Sequence, residues 1–144
     1  MCFNHGENLE DSMTAHSTDI FVSARYAELP GLLASVAEQA AGLGVAADDS
    51  LRLQLVVEEL FINTISHGHR GDSEGRVSLT LGRKNGGLTL RYEDDAPPFD
   101  NSEIGQNFRS TVAVGGQGLE LIHGMSKAVR YERNGQRNIT EIEF

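Results

Sequence analysis

Three groups of polar residues are spaced so that they could act together on one small charged molecule. The first lies in Leu51–Gly68, LRLQLVVEELFINTISHG. Glu58 and Glu59 sit in its middle, Asn63 follows Glu59 by four residues, and His67 follows Asn63 by four. That spacing puts Glu59, Asn63 and His67 on one face of a helix. Leu51, Leu53, Leu55, Val56, Val57, Leu60, Phe61, Ile62 and Ile65 cover most of the remaining circumference, which predicts a buried helix. A carboxylate or amide buried without a partner is costly. These groups are therefore expected to face a ligand, a metal ion or a water-filled pocket; the plainer alternative is a polar surface stripe.

The second group is Glu93-Asp94-Asp95-Ala96-Pro97-Pro98-Phe99-Asp100, at the end of an expected core strand. A strand-end Asp holds its carboxylate fixed and can accept a hydrogen bond from a ligand amine; an acidic, proline-stiffened turn is the alternative. The third is Gly115-Gly116-Gln117-Gly118-Leu119-Glu120-Leu121-Ile122, glycines running into a helix. Backbone without Cβ atoms can approach a phosphate closely, and the N–H groups of a first helical turn point at it. Alone, such a cluster is equally a glycine hinge.

Elements to carry these groups follow from hydrophobic periodicity. Thr18–Ala24 reads as a first strand, and Pro30 opens a helix whose apolar face is Leu32, Leu33, Val36, Ala37 and Ala40, ended by Gly42 and Gly44. Asp48, Asp49 and Ser50 offer N-caps and favourable charge to the central helix. Arg76–Gly82 and Leu88–Glu93 alternate with period two around Asn85-Gly86-Gly87, a hairpin signal. Asp94–Gln117 is a long loop, Leu119–Met125 a helix, and Ala128–Arg133 with Asn138–Phe144 a closing hairpin around Asn134-Gly135. Strands joined by hairpins, with helices grouped between them, predict an α+β two-layer sandwich. Its sheet is mixed but mostly antiparallel, with about five strands and three main helices on one face. Residues 1–16 are polar and aperiodic and are expected to be a disordered tail, with one domain over 17–144; Met13 is a possible natural start.

Composition bounds the partners. A net charge of −9, with Lys and Arg scattered singly, argues against a nucleic-acid groove or an anionic membrane surface. A small phosphorylated ligand held by backbone N–H groups and a metal ion is still allowed. One cysteine, Cys2, excludes an internal disulfide framework and fits a reducing compartment. No apolar run approaches a bilayer span, and no signal peptide is evident, so a cytoplasmic location is expected.

Taken together and in this order, the three groups resemble the N-box, G1-box and G2-box of the GHKL (Bergerat-fold) ATP-binding superfamily, over roughly Thr18 to Phe144. Within it the match is to the compact anti-sigma-factor serine kinases. Their pattern of E-x-x-x-N, D-x-G-x-P-F-D and G-G-x-G-L-x-L-I is met by Glu59–Asn63, Asp94–Asp100 and Gly115–Ile122. The resemblance implies a histidine-kinase-like ATP-binding domain using ATP and Mg²⁺. By position, Asn63 would ligate the Mg²⁺ and Glu59 would serve as general base toward a serine hydroxyl. Asp94 would accept from the adenine amine, and Gly116, Gly118 and Leu119 would offer N–H groups to the phosphates. Thr140 would support the adenine side, His67 would line the phosphate side, and Arg109 in the lid would reach the γ-phosphate. The implied partners are a STAS-type anti-sigma-factor antagonist, which would be phosphorylated, and a sigma factor, which would be sequestered, with the protein a homodimer.

The chain departs from the pattern where Ala96 replaces the family glycine, which is expected to crowd the base and weaken binding. The lid, Asn101–Val114, lacks a basic run. Two further functions are open to the same residues: a binding module that uses ATP only as a conformational ligand, and a metal hydrolase built on His67 and His69 with Glu58 or Glu59. The acid at position 59 favours an enzyme over the module, and the absence of metal-site spacing disfavours the hydrolase.

Overall fold

The computed structural model describes residues 14–16, 18–98 and 127–144. Their six strands and two helices are β1 (Thr14–His16), β2 (Ile20–Ser23), α1 (Leu29–Gly42), α2 (Ala47–Asn63), β3 (Arg76–Lys84), β4 (Gly87–Asp94), β5 (Ala128–Asn134) and β6 (Arg137–Glu143). A single turn of 3-10 helix, Tyr26–Glu28, leads into α1, and a π-helical turn, Thr64–His69, continues α2.

Every described strand pairing is antiparallel. β1 and β2 share one edge, pairing with opposite ends of β3, and the order continues β3–β4–β6–β5. The sheet is thus five positions wide, the predicted α+β architecture. Thr14–His16, expected in the tail, are strand rather than coil: they pair with Gly82–Lys84. The predicted third helix, Leu119–Met125, lies outside the described residues.

Both predicted hairpins form, each closed by a two-residue turn. Asn85 and Gly86 carry φ of +53° and +81°, the left-handed pair that a type I′ turn requires. In the last hairpin Gly135 supplies the positive φ, at +64°.

One face of the sheet meets the helices. Leu32, Val36 and Ala40 of α1, Leu53, Val56, Val57 and Phe61 of α2, and Ile65 of the π turn pack on Val77, Leu79, Leu81, Leu90, Tyr92 and Ile142. α1 ends with Gly44 in the left-handed region, and Arg83 seals that end by donating from Nε to the Leu43 carbonyl at 2.9 Å and from Nη2 to that of Gly44 at 3.2 Å.

Two expectations about α2 are corrected. It starts at Ala47 after an N-cap Ala46 that makes no side-chain bond, so Asp48 and Asp49 act through their charge in the first turn rather than as caps. It is also not buried all round. Leu51 is 60% and Leu55 41% exposed, because only the stripe 53, 56, 57 and 61 meets the sheet.

Candidate nucleotide site

The site forms where the end of α2 lies over the end of β4. β4 alternates, so Leu90, Tyr92 and Asp94 turn toward the helices and are buried. Its register with β6 sets Tyr92 opposite Thr140 and Asp94 opposite Asn138.

Asp94 is 3% exposed, and a buried carboxylate needs donors. It has three. Oδ1 accepts from the Ala96 backbone N–H at 2.9 Å and from Asn138 Nδ2 at 2.8 Å. Oδ2 accepts from the Thr64 hydroxyl at 3.0 Å. Thr64 Oγ1 also lies 2.7 Å from the Tyr92 hydroxyl and 3.0 Å from the Leu60 carbonyl. Burial, and then the Asp94 charge, push the Tyr92 phenol well above its ordinary range, against an opposing contribution from the Thr64 hydrogen bond. It stays a neutral donor at physiological pH.

Asn138 ties the turn after Asp94 in place. Its Nδ2 also donates to the Ala96 carbonyl at 3.0 Å and the Pro97 carbonyl at 3.2 Å, while its Oδ1 accepts from the Tyr131 hydroxyl and from Arg133 Nη1. The amide orientation is therefore determined: reversed, it would set oxygen against three acceptors. Arg133 Nη1 adds a bond to the Ala96 carbonyl at 2.9 Å.

The helix side of the site carries Glu59 and Asn63, both half-buried, one turn apart on α2. Burial first, and the neighbouring Glu58 carboxylate second, raise the Glu59 carboxyl above its ordinary range, partly offset by His67. After Asn63 the backbone widens into the π turn, which closes at Arg70 in the left-handed region with φ of +60°. The regular α-helical spacing therefore does not extend from Asn63 to His67. His67 is solvent-exposed, and its charge acts on Glu59.

The π turn also touches the turn after β4. A Cβ built on Gly68 would lie 2.6 Å from the Ala96 methyl, and Ala96 is fully buried. The methyl therefore packs onto Gly68 instead of standing in open space. Beside this contact His69 Nε2 lies 3.1 Å from Asp95 Oδ1, an ion-pair distance, yet the buried nitrogen makes no hydrogen bond, so the two are close without being aligned.

Asp94 and Ala96 thus meet the helical layer through Thr64 and Gly68, which follow Asn63 in the chain, while Glu59 lies one turn back along α2. Thr140 lies two residues along β6 from the group beside Asp94, which is Asn138. Gly116, Gly118, Leu119 and Arg109 lie outside the described residues. The sequence reading missed Thr64, Tyr92, Asn138 and Arg133. None stands in a motif, and only the pairing of β4 with β6 and the crossing of α2 over β4 bring them together.

An antiparallel sheet under two helices, with a fixed carboxylate at a strand end and a Glu–Asn pair on the facing helix, is an α+β sandwich. The histidine kinase-like ATPase domain model matches residues 22–144, and the chain belongs to that family. No curated protein matches it. No helix among the described residues is long and apolar enough to cross a membrane.

The family implies ATP with a divalent cation. The described residues include no cluster of three His, Cys, Asp or Glu side chains that could cage a metal. Asn63 would be the residue to offer a hard cation a neutral oxygen, the kind of ligand such an ion takes beside water and phosphate oxygens.

Proposed function

We propose that this domain is an ATP-dependent protein serine kinase of the anti-sigma-factor type. It phosphorylates a STAS-type antagonist, sequesters a sigma factor and works as a homodimer. The observation that carries the reading is Glu59, a half-buried carboxyl raised above its ordinary range, one helical turn from Asn63. A base of raised pKa is better matched to a hydroxyl proton than an ordinary carboxylate is.

Asn63 would hold Mg²⁺, which supplies charge neutralisation on the phosphates when bound. The remaining chemistry belongs to this chain. Asp94 takes the adenine amine and sets the nucleotide's orientation. Glu59 receives the proton of the attacking serine hydroxyl as its oxygen bonds to the γ-phosphorus. The bond from that phosphorus to the bridging oxygen breaks, and ADP leaves with the electron pair.

Labelled ATP incubated with the protein and its STAS partner should yield phosphoserine on the partner. Glu59→Gln should lower the transfer rate by at least about a hundredfold, the usual worth of a positioned base, with ATP affinity little changed. The wild-type rate should fall as pH drops through the raised Glu59 pKa, since only the ionised base acts. Transfer by Glu59→Gln at the wild-type rate would remove Glu59 from the chemistry.

A further inference from the structure

We infer that Thr64 and Asn138 are specificity-positioning residues: they fill the acceptor positions of Asp94 until only one remains, so the site reads a single ligand N–H. This rests on the nucleotide-site reading above and concerns which purine that site admits.

A carboxylate offers about four lone-pair positions and can accept two parallel N–H donors at once. An unencumbered carboxylate is therefore a poor discriminator between purines. It can take one N–H from the adenine amine, and it can equally take the adjacent N1–H and N2–H donors of guanine as a pair. Asp94 is not unencumbered. The Ala96 N–H and Asn138 Nδ2 occupy both positions on Oδ1, at 2.9 and 2.8 Å. The Thr64 hydroxyl takes one on Oδ2, at 3.0 Å.

Thr64 has one hydrogen and two acceptors within reach, Leu60 O and Asp94 Oδ2. The charged oxygen is the stronger acceptor. The Leu60 carbonyl already receives the Thr64 backbone N–H, so it is not orphaned by losing the hydroxyl. The Tyr92 hydroxyl, 2.7 Å away and held neutral by burial, donates to Thr64 Oγ1 and leaves the Thr64 hydrogen to Asp94. The chain therefore runs Tyr92 to Thr64 to Asp94 and leaves one lone pair on Oδ2. A single amine N–H fits it; a guanine edge, with two donors and a carbonyl oxygen beside them, does not.

The experiment is titration calorimetry of the full chain with Mg·ATP and Mg·GTP, on wild type, Thr64→Val and Thr64→Ser, with circular dichroism confirming the fold. Wild type should prefer ATP. Thr64→Val opens a second position on Oδ2 and should lower the ATP-to-GTP affinity ratio about tenfold, the worth of one charge-assisted hydrogen bond. Thr64→Ser restores the hydroxyl and should restore the ratio. If Thr64→Val does not fold, Asn138→Ala, which opens Oδ1 instead, decides by the same ratio. An ATP preference that survives in the folded variant overturns this inference while leaving the nucleotide site standing. A wild-type protein that binds neither nucleotide overturns the site itself.

Discussion

Tyr92 shows how much a single residue's surroundings decide at this site. An ordinary phenol ionises near pH 10, but this one is sealed under α2 beside the Asp94 carboxylate, and both burial and that charge hold it neutral. Its folded pKa is raised above the unfolded one. The stabilisation from the neutral phenol is therefore complete below the unfolded pKa and is lost as pH rises above it. The stability of the wild type should fall above about pH 10 by about 1.4 kcal/mol per pH unit for this one proton. Tyr92→Phe should lack that component of the slope. Urea unfolding at a series of alkaline pH values would show it, and parallel slopes would contradict it. Glu59 is shifted in the same direction by burial, yet it is only half-buried, which keeps it reachable by a substrate proton.

The two turns that frame the site, the π turn after α2 and the turn after β4, meet at one contact between small residues. Ala96 occupies a position where the resemblance leads one to expect glycine, and its methyl is accommodated because position 68 has no side chain. The glycine requirement has in effect moved across the junction. Gly68→Ala would bring two methyl carbons to 2.6 Å and should cost about 1–3 kcal/mol as overpacking. Ala96→Gly in the same chain should recover most of that loss. Chemical denaturation of the two single variants and the double variant would measure the coupling; additive losses would mean the turns do not press on each other. The π turn also sets the backbone between Asn63 and His67. His67 is solvent-exposed there, yet its charge still reaches Glu59.

At the scale of the molecule the site spans both layers, the helical one through Glu59, Asn63 and Thr64 and the sheet through Tyr92, Asp94 and Asn138. A ligand held between layers stabilises the fold as a whole. Mg·ATP at a hundred times its Kd should add about 2.7 kcal/mol to unfolding, with GTP at the same concentration adding less. A thermal melt unmoved by ATP would count against the site. The layers themselves were legible in the residues. Period-two alternation in β3 and β4, the Asn85-Gly86 turn and the Leu32, Val36 and Ala40 spacing are local signals, and each formed as expected. Glu59, Asn63 and Asp94 were also legible, because each sits in a short contiguous motif. The neighbours of Asp94 were not. Asn138 lies 44 residues from Asp94 and Thr64 lies 30, so nothing in the local pattern links them. The sequence by itself determined the elements and pointed to the candidate side chains, since periodicity, turn chemistry and short motifs act over a few residues. Only the tertiary structure decided which donors saturate Asp94 and where Ala96 puts its methyl. Those depend on the register between β4 and β6 and on the crossing of α2 over the sheet, which no run of neighbouring residues encodes.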